Sequence, residues 1–168
     1  QVQVIRDILD YEGMCSIVKE TELEEFLNRL KQKPFMVITD SQAFAKVAAI
    51  TPLDIHLTSF SMLFARYKGD LNSYLKGVKA IGSLVPGDKV LIAEGCTHHR
   101  QSDDIGTVKM PRWLNEKVGG SLDYEWASGG GFPKDLTKYK LIIHCGACML
   151  NRREVLYRLS NAGEEKIP

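Results

Sequence analysis

Val90-Leu91-Ile92-Ala93 runs into Glu94-Gly95-Cys96-Thr97-His98, and Leu141-Ile142-Ile143 runs into His144-Cys145-Gly146-Ala147-Cys148. The reading of these two stretches decides the fold. Each starts as a short apolar run of strand length and then breaks into glycine, cysteine and histidine. In parallel α/β sheets, ligands bind beyond the carboxyl ends of the strands. If the two runs are parallel neighbours, Cys96 and Cys145 emerge at one edge. Residues 99–140 are ample for the crossover that parallel pairing requires. Cys148 follows Cys145 by a C-x-x-C step, whose short loop aims two sulfurs at one centre. Three thiolates then converge from two loops.

Working outward, strands alternate with helices on both sides of this set. Before it, residues 4–9 carry a helical apolar face. Residues 16–18 are a short strand candidate. Thr21-Glu22-Leu23-Glu24 has the form of a capping box opening a helix. Phe35-Met36-Val37-Ile38-Thr39 is an apolar run of strand length, Asp40-Ser41 can cap the next helix, and residues 55–60 alternate as a strand. A short amphipathic helix follows and ends at Gly69. Beyond it come a helix over residues 71–84, a turn at Pro86-Gly87-Asp88 and the strand before Cys96. Pro111 suits the first turn of a helix through Trp113 and Leu114, which Gly119-Gly120 stops. Residues 122–126 alternate as a strand, and Asn151 opens a last amphipathic helix. The expected fold class is α/β, in two small units. Residues 1–69 form the first unit, and residues 70–168 form a mainly parallel sheet flanked by helices with a metal site at the strand carboxyl edge.

Composition narrows the function classes. The chain has 168 residues, 44% of them apolar, and a formal net charge of +1. A globule of this size buries roughly 70% of the surface its unfolded chain exposes. The near-neutral charge gives no reason to invoke nucleic acid or an anionic membrane. No apolar run approaches the ~20 residues that span a bilayer. The start, Gln1-Val2-Gln3, lacks both a signal-peptide pattern and an initiator Met, as expected of a fragment or a processed form. C-x-x-C beside histidine, without a secretory signal, fits a metal site in the reducing cytoplasm better than disulfides.

The donor set leaves two metals open. Zinc takes Cys₃His or Cys₂His₂ in closed tetrahedra. An iron–sulfur cubane is held by thiolates, usually four, so three cysteines leave one corner weakly held and exchangeable. Candidates for that corner are His98, His144, a carboxylate such as Glu154 or Glu94, and water. His144 can ligate only if the strand has already ended, because strand neighbours point to opposite faces. His98, two residues after Cys96, has the easier reach. Nearby His99, Arg100, Arg152 and Arg153 favour deprotonated thiolates, or simply form a solvated basic face. Cys15 reads as a buried small hydrophobe, and His56 as structural. Trp113 and Trp126 read as core or interface anchors. Gly129-Gly130-Gly131 is a loop or a lid.

Taken together, Glu94-Gly95-Cys96-Thr97-His98-His99, Asp103-Asp104-Ile105-Gly106-Thr107-Val108-Lys109 and residues 141–154 resemble the C-terminal region of the FeFe-hydrogenase maturation GTPase family, HydF. The pattern C-x-H, a long spacer, then H-C-x-x-C is matched in full. The resemblance is close over the motif-bearing C-terminal part and looser before it. It implies a 4Fe-4S cluster on Cys96, Cys145 and Cys148, with a di-iron subcluster precursor as transient cargo. It implies a homodimer whose partners are apo FeFe-hydrogenase and the radical-SAM maturases. It also implies a GTPase domain, and here the chain departs from it. There is no G-x-x-x-x-G-K-[ST]; the nearest stretch, residues 82–89, has Asp88 where Lys is required and precedes a strand. The expectation is a scaffold and carrier, with no enzymatic turnover by this chain. A structural zinc protein and a redox iron–sulfur protein are the alternatives.

Overall fold

The two apolar runs are neighbouring parallel strands. A computed structural model of the chain describes residues 1–94, 105–147 and 149–168. Cys96, His98, His99, Arg100 and Cys148 lie outside the described residues. The chain divides into two compact units, Gln1–Leu63 and Phe64–Pro168.

The first unit is a small βαβ arrangement. Two helices, α1 (Val2–Asp10) and α2 (Leu23–Arg29), precede strand β1 (Met36–Thr39), helix α3 (Phe44–Ile50) and strand β2 (His56–Ser59). β1 and β2 pair in parallel from Met36↔His56 to Thr39↔Ser59. Leu23, Val37, Val47 and Ile55 form its core. Asp40 accepts from the amides of Gln42 and Ala43, both at 3.0 Å, and turns the chain into α3. Two sequence expectations fail here. Residues 16–18 are not a strand, because three residues with no partner edge cannot complete a ladder. The capping box does not form: α2 has no side-chain cap, and the Glu22 carboxylate instead accepts from the Lys19 amide at 3.4 Å.

Helix α4 (Phe60–Lys68) straddles the division between the units. Its first turn belongs to the first unit. Its last residue, Lys68, bonds to carbonyls of the second, so the compact division falls within α4, upstream of Gly69-Asp70.

In the second unit, α5 (Leu71–Ala80) starts at Asp70, whose carboxylate accepts from the Ser73 amide at 2.8 Å. A 3₁₀ turn (Ile81–Ser83) extends it. Then come β3 (Lys89–Glu94), a π-helical turn (Ile105–Lys109), α6 (Met110–Val118), β4 (Asp123–Ser128), β5 (Leu141–His144) and α7 (Arg152–Glu164). Gly119 ends α6 in the left-handed conformation, φ 75°, which glycine adopts without the Cβ penalty. The sheet order is β4-β3-β5, with both pairs parallel. The central strand β3 is sealed on both faces, with Val90, Leu91 and Ala93 fully buried. Its alternate residues feed two cores. Val90 packs with Leu84, Leu114, Leu122 and Leu141; Leu91 packs with Ala127, Leu136 and Tyr139. That explains the unbroken apolar run, since a parallel strand covered on both sides has no polar face to show. No helix among the described residues is long and apolar enough to cross a membrane.

Candidate metal centre

Three parallel strands end at one edge of the second unit's sheet. β3 finishes at Glu94, β4 at Ser128 and β5 at His144. The ladder continues one step further: the Cys145 amide donates to the Ala93 carbonyl at 2.9 Å, and the Gly129 amide to the Glu94 carbonyl at 3.2 Å. Cys145 is therefore the first residue beyond β5, tied to the end of β3.

The chain then turns sharply. Ala147 is 2% exposed and holds φ 55°, a left-handed conformation that costs a residue with a Cβ about 1–2 kcal/mol. The turn brings the Ala147 amide to 3.4 Å from the Cys145 sulfur, donating to it. On the other side of the turn, Lys68 donates from Nζ to the carbonyls of Ala147 at 2.9 Å and Leu150 at 2.7 Å. It is only 8% exposed, and its Nζ lies 4.9 Å from the centre of the Phe64 ring. Tyr74 also feels the site. Burial, followed by the charge of Cys145 and then of Asp70, raises its hydroxyl pKa. A Cβ on Gly69 would sit 2.4 Å from that hydroxyl, so a larger residue there requires the Tyr74 ring to shift.

Arg158 of α7 binds the same strand edge together. It is 2% exposed and its donors are shared out. Nε reaches Glu154 Oε1 at 2.8 Å, Nη2 the Gly129 carbonyl at 2.6 Å, and Nη1 the Nε2 of His144 at 3.2 Å. Its guanidinium carbon lies 4.9 Å from the centre of the Phe132 ring. A guanidinium can only donate, so His144 Nε2 accepts. The proton is then on Nδ1, which donates to the Cys145 carbonyl at 2.7 Å. This fixes one neutral tautomer. Burial lowers the His144 pKa, and the Arg158 charge adds to that against the opposing hydrogen bond to Cys145. The Gly129 end of the glycine run is pinned by Arg158, and Gly131 donates back to Ser128 at 3.0 Å.

These contacts sort the expected site residues. Cys145 stands at the strand edge, as anticipated. Both ring nitrogens of His144 are engaged, Nε2 by Arg158 and Nδ1 by the Cys145 carbonyl, so His144 gives up one of these bonds to serve as a ligand, and Glu154 holds Arg158 through Oε1. Asn151 caps α7 through the Glu154 amide at 2.8 Å. Cys15 is exposed, not buried. Trp113 and Trp126 are about half exposed, with the Trp126 indole donating to Gly106. Among the described residues no three His, Cys, Asp or Glu side chains gather into a metal-holding group. The expected set includes Cys96 and Cys148, which lie outside them. The described part of that set is one strand-end sulfur that accepts an amide hydrogen bond, a donor of the type that iron–sulfur groups and zinc both take. Sequence reasoning missed Lys68 and Arg158. In sequence, each is one more cation on an amphipathic helix.

Comparison with known families matches two profiles. The hydrogen maturase F tetramerization domain matches residues 72–168, more than half of the chain. The hydrogen maturase F dimerization domain matches residues 1–69. Comparison with curated proteins finds no match.

Proposed function

The chain belongs to the hydrogen maturase F family, and from that premise we propose that it is a scaffold and carrier in hydrogenase maturation, holding a 4Fe-4S cluster on Cys96, Cys145 and Cys148. The observation that carries the reading is Cys145. It leaves β5 beside the end of β3, two residues short of Cys96 in sequence, with the Ala147 amide donating to its sulfur. When bound, the cluster supplies an iron corner whose fourth ligand can be exchanged for a donor on an incoming di-iron precursor.

The chain's own residues define that corner. His144 is held neutral and turned toward Arg158, and Glu154 holds the same arginine. His98, two residues after Cys96 in sequence, is the donor we propose for the fourth position. Arg158 keeps the strand edge rigid by tying α7 to Gly129 and His144. Arg152 and Arg153, in the first turn of α7, supply positive charge toward an anionic di-iron cargo. Self-association follows the two matched domains, and the carrier works as an oligomer. Apo FeFe-hydrogenase receives the cargo and the radical-SAM maturases supply it. Residues 1–168 carry no P-loop, so the scaffold role involves no GTP hydrolysis by this part of the chain.

Anaerobic reconstitution with iron and sulfide tests the reading. The expected product is brown, with an axial EPR signal from the reduced cluster that added imidazole or cyanide perturbs. Cys145→Ser loses it. A colourless protein holding one zinc would replace this reading with a structural site. A brown protein whose signal no added donor changes would leave a redox centre without an open corner.

A further inference from the structure

We infer that Lys68 is a positioning residue of this site, setting both the shape of the Cys145 turn and the charge felt by whatever the thiolates hold. The inference rests on the iron–sulfur reading above. A lysine at the end of an amphipathic helix normally extends into water. Here it is 8% exposed and donates to two carbonyls, those of Ala147 and Leu150, on either side of Cys148 in sequence. Burying an ammonium is costly unless its donors are satisfied. Carbonyl oxygens stabilise that charge without neutralising it. The helix presents it through an i,i+4 stack on Phe64.

Two consequences follow. The first is geometric. Ala147 holds a left-handed φ of 55° that an alanine does not choose by itself. The Ala147 amide donates to the Cys145 sulfur, and the Lys68 bond to the Ala147 carbonyl, which that φ orients, holds the same residue from its other side. Lys68 therefore braces the turn that follows Cys145. The second is electrostatic. A positive charge in a poorly screened environment favours the more negative of two redox states. A cluster on Cys145 accepts an electron more readily with Lys68 present. Partners one shell out from a metal ligand tune both affinity and potential in this way.

The two consequences separate experimentally in the full chain. Lys68→Met is expected to lose its reconstituted cluster to a chelator ~10–100-fold faster than wild type. It is also expected to have a lower midpoint potential. Lys68→Arg keeps a charge and donors, and is expected to hold the wild-type potential while recovering part of the retention. Ala147→Gly removes the left-handed penalty. Combined with Lys68→Met, it is expected to restore retention but leave the potential low. Circular dichroism of Lys68→Arg and of the double variant shows whether each chain is folded, and these two carry the comparison if Lys68→Met is not. A Lys68→Met chain with wild-type retention and wild-type potential overturns the inference and leaves the cluster reading standing. So does a wild-type potential in the double variant. A wild-type chain that takes up no cluster overturns both.

Discussion

The two units differ in how much of their apolar surface they cover for themselves. In the first, α1 buries no side chain, the sheet has two strands, and Phe35, Leu53 and Met62 are well exposed. Two paired strands are marginal alone and need further cover. In the second unit a sealed central strand feeds a core on each face of the sheet, and even charged groups are taken inside. The contrast separates two tasks. The first unit matches the dimerization domain and presents apolar side chains outward. The second concentrates its burial around one sheet edge, the edge at which we propose that the cluster is held.

That division can be strained at several points. The largest effect is expected from Leu91→Ala, which opens a cavity under the central strand. It should cost about 2–5 kcal/mol, read from the urea midpoint, and cluster retention should fall with it. Val47→Ala, the matching change in the first unit, should cost about 2 kcal/mol and leave the cluster spectrum unchanged. A change in that spectrum would mean that the site depends on both units. Arg158→Met comes next. It strips partners from His144, Glu154 and the Gly129 carbonyl, a loss of about 2–3 kcal/mol. It also releases His144 Nε2, so the reduced cluster's EPR signal should change shape. Asn151→Ala removes the α7 cap and should lower stability by about 1 kcal/mol. Smallest in stability is Leu53→Asp with Phe35→Asp, within about 0.5 kcal/mol. Its effect should appear instead in assembly, as a lower mass in size-exclusion light scattering with cluster content unchanged. Undiminished mass would take those residues out of the oligomer interface.

The legible part of the molecule is where one physical cause dominates. β3 and β5 are readable because a parallel strand sealed on both faces must be apolar throughout. Cys145 is readable because it ends such a run. α6 is readable from Pro111 before it and Gly119 after it. Local signals mislead where a competing contact wins. Glu22, not Thr21, stands at the N-cap position of α2, so the capping box is lost. Residues 16–18 have strand-forming side chains but nothing to pair with. The functional polar contacts are the least legible. Lys68 and Arg158 look like ordinary helix cations, and only the fold brings them to carbonyls far away in the chain. His144 shows the same limit, since its neighbour Cys145 suggests a ligand while its contact with Arg158, which the sequence does not show, gives its nitrogens another role.

The most direct test of the account is the iron and sulfide content of the anaerobically reconstituted chain, measured beside Cys96→Ser, Cys145→Ser and Cys148→Ser. The account predicts about four iron and four sulfide per wild-type chain, with each single serine variant losing the cluster. Full iron and sulfide in any one of the three variants, or zinc in place of iron in the wild type, would contradict it.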